Sequence, residues 1–132
     1  MTSAHEQTIR RVYAAFNRWD IPTILDSFAP DIEWVAADHS PLAGHSPYRG
    51  LEAVRDGVFT PIGAHFEVTI RVDELLEAGD RIVMLGYYEG SPKATGRRFR
   101  AQVAHVWTLA QGKVRRFQQY TDTFQLAEAL QP

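Results

Sequence analysis

The stretch "AHVWTLAQGKVRRFQQYTDT", residues 104–123, decides how this chain folds. Apolar and polar residues alternate on both sides of a glycine-containing turn, the period-two signature of paired antiparallel strands. His105 shares its parity with Phe99, Ala101, Val103, Trp107 and Leu109, and these large residues mark the inward face. A titratable imidazole is therefore expected inside the fold. Burying such a ring without a partner costs roughly 1–3 kcal/mol, so His105 needs a hydrogen-bonding neighbour or a ligand.

Upstream, the same period continues. "FEVTIRVDEL" (66–75) alternates through Phe66, Val68, Ile70 and Val72, and "IVMLGYYEG" (82–90) is apolar on both faces. Together with the opening stretch these runs predict a meander of four antiparallel strands joined by short turns. Ahead of residue 66 the spacing is helical. Ser3 and Glu6 fit a capping box, and Ile9, Val12, Tyr13 and Phe16 lay one apolar stripe that closes at Trp19. Asp20 can cap a second helix with Pro22 in its first turn and Ile21, Ile24, Leu25 and Phe28 on its buried face. "IEWVA" (32–36) reads as a short strand, "ADHSPLAGHSPYRG" (37–50) as a surface loop, and "LEAVRDGVF" (51–59) as a third helix stopped by "TPIG" (60–63). "FQLAEAL" (124–130) is compatible with a final helix. Helices preceding a long antiparallel sheet predict one α+β domain over residues 1–132, the three N-terminal helices packed in the concave face of a curved, mostly antiparallel sheet. A cone of that shape has room for a cavity.

The turn "LAQGK" sets which residues join His105. With Ala110, Gln111 and Gly112 as a three-residue loop, which the glycine after two ordinary residues favours, His105 shares a face with Phe117, Gln119 and Thr121. With Gln111 and Gly112 alone as the loop, it shares a face with Gln118, Tyr120 and Asp122, and Arg116 is brought inward. A bulge near Thr121 would re-aim Asp122 toward the cavity mouth.

The composition excludes several function classes. The sequence has 132 residues, 45% hydrophobic and 23% charged, an ordinary globular mix. No cysteine is present, so disulfides, thiolate metal sites and a thiol nucleophile are out, and a reducing cytoplasm is the expected location. A formal net charge of −2 argues against non-specific nucleic-acid binding. No apolar run approaches the ~18–20 residues of a membrane span, and "MTSAHEQTIRR" lacks the apolar centre of a signal peptide. His39 and His45 beside Asp38 sit among prolines and glycine that suit a surface loop, and no metal is expected there. Because the middle strands are apolar on both faces, a homodimer through the outer face of the sheet is expected.

The segments "IRRVYAAFNRWD", "SFAPDIEW", "YRGLEAVRDGVF" and "AHVWTLAQGKVRRFQQYTDT" together resemble the SnoaL-like polyketide cyclase and ketosteroid isomerase-like branch of the NTF2-like superfamily. The resemblance covers nearly the whole chain and implies the cone-shaped fold. It also implies a cofactor-free enzyme moving protons on a small hydrophobic carbonyl compound, of isomerase, cyclase or dehydratase type. The scaffold hosts non-catalytic binders as well, so function rests on individual residues. The carboxylate base of steroid isomerases falls on Ala36, their helix tyrosine on Val12 with Tyr13 one residue away, and their protonated-acid donor on His105. A steroid isomerase is therefore not expected. The aspartate that cyclases of this type carry at the end of the last strand, ten residues after the turn glycine, falls on Asp122. The Asp-Arg-Asp set of epoxide-hydrolase relatives is lost at Gln119 and Val103.

The expected site has His105 and Asp122 as acid/base residues, because an imidazole titrates near neutrality and a carboxylate in an apolar cavity has its pKa raised. Tyr13, Phe16, Trp19, Trp34, Trp107, Phe117, Gln119 and Tyr120 are expected to line the ligand pocket. No metal or cofactor is expected. The competing readings are a core histidine bonded to a tyrosine or a main-chain carbonyl, and an aspartate that caps the last helix. A non-catalytic binder of a hydrophobic metabolite, or an interaction scaffold with a filled interior, is the corresponding alternative function.

Overall fold

A computed structural model describes residues 2–132. Helix α1 (Ala4–Asn17) begins where the Ser3 hydroxyl accepts the Glu6 N–H at 3.0 Å and buries Ile9, Val12, Tyr13 and Phe16. Asn17 at its end clamps the helix to the sheet, its amide bonding both the N–H (2.8 Å) and the carbonyl (2.9 Å) of Ile70. Helix α2 (Ile21–Asp26) is capped by Asp20, as the sequence predicts. The chain then enters β1 (Phe28–Val35), four residues earlier than the alternation at Ile32 suggests. Tertiary pairing causes this: Phe28 aligns with Val114, and the Val114 N–H bonds the Ser27 carbonyl, so Phe28 joins the sheet instead of the helix.

After β2 (Tyr48–Arg49) comes α3 (Leu51–Val54), which continues through a π-helical turn at Arg55–Phe59 into α4 (Thr60–His65). "TPIG" therefore does not end the helix. The Thr60 N–H reaches back five residues to the Arg55 carbonyl, and Pro61 falls in the first turn of α4, where a missing N–H is tolerated. Gly57 is required here, since a Cβ on it would sit 2.4 Å from the Tyr48 ring.

Strands β3 (Phe66–Ala78), β4 (Arg81–Pro92), β5 (Phe99–Ala110) and β6 (Lys113–Thr121) form the expected meander, and α5 (Thr123–Ala129) follows. The sheet order is β2-β1-β6-β5-β4-β3, antiparallel throughout except where β1 runs parallel to β6. The fold is the α+β arrangement that the sequence predicts, with helices over one face of the sheet.

The β5–β6 turn combines both sequence alternatives. Gln111 (φ 54°) and Gly112 (φ 77°) form a two-residue loop between the paired Ala110 and Lys113, as left-handed turn residues do. Arg115 then bulges, so the register moves from Leu109 opposite Val114 to Thr108 opposite Arg116. The extra residue restores the parity of the longer loop. His105 pairs with Gln119, and Arg116 stays outside.

Candidate functional site

Inside the cone, aromatic rings pack into a wall. Trp34 stacks on Phe117 with centroids 3.7 Å apart, and Trp107 lies 4.6 Å from the same ring. Beside this wall is a cavity of about 100 Å³. By the probe-sphere measure one water needs about 10–15 Å³, so a compact organic molecule has room. Val58 and Phe59, delivered by the π turn, form part of the lining, and Pro41, Leu42, Ile62 and Leu126 come from the loop, α4 and α5. No Asp, Glu, Lys or Arg lines the cavity among the described residues.

Apart from Ser40 on the loop, its polar side chains form one hydrogen-bonded chain. Trp107 Nε1–H donates to the Tyr13 hydroxyl oxygen at 2.7 Å, and that hydroxyl meets His105 Nδ1 at 2.7 Å. On the other side of the imidazole, Nε2 meets the Tyr88 hydroxyl at 2.7 Å, and Gln119 Nε2–H donates to the Tyr88 oxygen at 2.8 Å. Gln119 Oε1 accepts the Ala37 N–H at 3.0 Å, which fixes the orientation of the amide. His105 is 2% exposed, and no buried side-chain nitrogen or oxygen among the described residues lacks a partner.

Burial governs the electrostatics. Desolvation pushes the His105 imidazolium pKa down to about 3, so the ring is neutral at physiological pH. Burial raises the Tyr13 phenol well above its usual value against a smaller lowering by Trp107, and it raises Tyr88 against Gln119. The chain of side chains is thus uncharged.

The structure brings together His105, Tyr13, Phe16, Trp34, Trp107, Phe117 and Gln119 around the cavity. It does not bring Asp122, Trp19 or Tyr120 there. The Asp122 carboxylate caps α5, accepting the Gln125 N–H at 3.2 Å and the Gln125 side-chain amide at 3.1 Å. Asp122 and Tyr120 line an open groove on the outer face of the sheet, because Tyr120 pairs with the outward Ala104. Trp19 adopts a left-handed φ of 56° after α1, which turns its ring over Gly63 of α4. It is 42% exposed and braces two helices from outside.

Tyr88 is the residue that sequence reasoning passed over. Its signal was its parity with Ile82 and Met84, both fully buried on the inner face of β4.

Comparison with known proteins places this geometry. A SnoaL-like domain model matches residues 9–117. The uncharacterized protein Rv0034 of Mycobacterium tuberculosis is 28% identical over 113 residues, 85% of this chain and 84% of that protein. Among solved structures, an NTF2-like protein from Burkholderia thailandensis superposes with a TM-score of 0.89 at 36% identity, covering 100% of both chains. One from Burkholderia pseudomallei gives 0.90 at 30% identity, over 98% of this chain and 99% of that one. TerC co-crystallized with polyporic acid gives 0.86 at 26% identity, over 96% and 98%. The chain belongs to the SnoaL-like family, on the NTF2-like fold.

Proposed function

We propose that this chain takes a small, predominantly apolar carbonyl compound into its cavity, seats the carbonyl oxygen on the tyrosine–histidine chain, and polarises it so that water or hydroxide entering from solvent takes a proton from the adjacent carbon, the first step of an isomerase, cyclase or dehydratase type of reaction. The observation that carries this reading is the series Trp107–Tyr13–His105–Tyr88–Gln119, hydrogen-bonded end to end along a cavity wall whose only other polar side chain among the described residues is Ser40. Fixed neutral donors in a water-poor site stabilise negative charge that develops on an oxygen without reorganising first. His105 serves as a linking hydrogen-bond group in this scheme. A conjugate-acid pKa of about 3 makes it a weak base at neutral pH, and Asp122 is turned to the outer face. The similarity to TerC, whose structure holds polyporic acid, supports a small-molecule ligand.

The test is carbon-bound hydrogen exchange. Ketones such as 1-indanone, incubated with the protein in deuterium oxide and followed by NMR, are expected to gain deuterium next to the carbonyl faster with protein than without. A second reading, a binder without catalysis, is favoured by the lack of an ionisable carboxylate in the lining. Ketone binding with no acceleration of exchange selects it.

The proposal includes a working place in the cytoplasm and a second copy of the chain on the outer sheet face. Support for the dimer comes from two cross-strand rows, Leu76–Val83–Val106 and Leu85–Ala104–Tyr120, which align apolar and aromatic groups where Leu76 is 50% and Tyr120 57% exposed.

A further inference from the structure

The polar chain in the cavity has more hydrogens than places to put them. Its four links are Trp107 to Tyr13, Tyr13 to His105, His105 to Tyr88, and Tyr88 to Gln119. Trp107 Nε1 is only a donor, and the Gln119 amide nitrogen is held toward Tyr88 because its oxygen takes the Ala37 N–H. Both end links are therefore filled by N–H groups, and both tyrosine oxygens already accept. A neutral imidazole carries one N–H and one bare nitrogen. Its N–H must donate to one tyrosine, and its bare nitrogen accepts from the other. Setting aside the second Gln119 amide hydrogen, five hydrogens thus serve four links. The tyrosine that receives the imidazole N–H keeps its own hydroxyl hydrogen, and among the described residues neither hydroxyl has a further acceptor.

We infer that the tyrosine–histidine chain presents a single free hydroxyl hydrogen to the cavity, that the tautomer of His105 decides which tyrosine presents it, and that the ligand seated on it is an uncharged oxygen acceptor such as a ketone. With the proton on Nε2, Tyr13 donates to Nδ1 and Tyr88 faces the cavity with a free hydrogen. With the proton on Nδ1, Tyr88 donates to Nε2 and Tyr13 takes over. Both tyrosines line the cavity, so each arrangement offers a seat. The neutrality of the ring follows from its burial at 2% exposure and from the downward shift that this burial imposes. Both arrangements are uncharged, and interchange between them needs a proton carried across the cavity from one tyrosine oxygen to the other, by water, while the imidazole passes its own proton along. A ligand oxygen takes up the free hydroxyl hydrogen, whereas a group offering only an N–H leaves that hydrogen unpaired, and among the described residues no carboxylate lines the cavity to receive a cation. A site built to hydrogen-bond discriminates sharply against a ligand that leaves its polar group unpaired.

The inference rests on the binding role proposed above, and three bicyclic probes of similar shape separate the two. Titration calorimetry with 1-indanone (acceptor only), indole (N–H donor only) and indane (neither) is expected to give at least tenfold tighter binding of the ketone than of the other two. Equal affinity for ketone and hydrocarbon leaves the cavity a binding site and overturns the donor count. Binding of none of the three overturns both readings.

NMR of protein labelled with nitrogen-15 at histidine then reads the tautomer. Bound to 1-indanone, Tyr88→Phe is expected to hold the His105 proton on Nδ1, with Tyr13 donating to the ketone. Tyr13→Phe is expected to hold it on Nε2, with Tyr88 donating. The same tautomer in both complexes overturns the switch. Should either variant fail to fold, the ketone complex of the unmodified protein decides: one protonated ring nitrogen at pH 7 is expected, and an imidazolium with both protonated overturns the count.

Discussion

Strand β5 presents two different chemistries on its two faces. Inward, Val103, His105 and Trp107 are at most 5% exposed, and every polar atom near them is neutral and hydrogen-bonded. Outward, the neighbours of Gln102 and Ala104 carry charge: Arg71 and Arg100 both lie over the Tyr87 ring, at 4.7 and 3.8 Å, and Arg71 pairs with Asp73 at 3.0 Å. The difference follows from the medium. Water screens and solvates the outer charges, whereas an ion in the interior loses its hydration and is neutralised by a shifted pKa. The interior therefore recognises ligands by directed hydrogens, and the exterior offers area and weakly coupled ion pairs.

The inner face is where damage is greatest. Trp107→Ala removes a ring packed against Phe28, Trp34 and Phe117 and deletes the donor to Tyr13. A loss of about 3–5 kcal/mol in unfolding free energy is expected from chemical denaturation, the range for truncating a buried aromatic.

His105 gives the inner face a pH signature. Its folded pKa of about 3 lies below the unfolded value of ~6.5, so between these limits the unfolded state binds more protons. Stability due to this group is fully present above pH ~6.5 and falls as the pH drops toward 3, by about 1.4 kcal/mol per pH unit within that window. His105→Gln offers an acceptor and a donor to the two tyrosines and cannot titrate. Urea unfolding at pH 7, 6, 5 and 4 is expected to show the native protein weakening more steeply than this variant. Parallel slopes would place the folded pKa of His105 near its ordinary value.

How much of this was legible beforehand follows the range of the forces involved. The meander, the three caps at Ser3, Asp20 and Asp122, and the inward parity of His105 depend on residues close in sequence and could be read directly. The start of β1 at Phe28 could not, because it is imposed by pairing with Val114 across the chain. The Arg115 bulge was equally hidden, and the inward face of β6 came out right for the longer loop while the turn itself is the shorter one. Within the site, His105, Tyr13 and Gln119 were identified, but Tyr88 completes the chain from a strand whose two faces look alike in hydrophobicity. Asp122 is the instructive case, because the sequence supports both of its readings. Similarity of position suggested catalysis, and local hydrogen bonding to Gln125 took the carboxylate for a helix cap.

That assignment yields a smaller, separable effect. Asp122→Ala is expected to cost about 0.5–2 kcal/mol of stability through loss of the cap on α5. Ketone affinity and exchange rate are expected to match the unmodified protein, since the cavity is lined by other residues. A loss of exchange that exceeds any loss of binding would return Asp122 to the chemistry.

The outer face predicts the smallest change in a single folded chain and the clearest change in assembly. Tyr120→Lys alters a side chain that is already 57% exposed, so its effect on a monomer's stability is expected to stay within about 0.5 kcal/mol. In a dimer through this face the same lysine replaces an aromatic contact with Leu85 and Ala104 and its ammonium loses water, while the carboxylates of the groove, Asp73 and Asp122, are already engaged with Arg71 and Gln125. Light scattering across a concentration series is therefore expected to give the dimer mass for the native chain and the monomer mass for the variant. An unchanged mass would mean that the partner, if the chain has one, sits elsewhere, because two-fold symmetry places each such substitution at the contact twice.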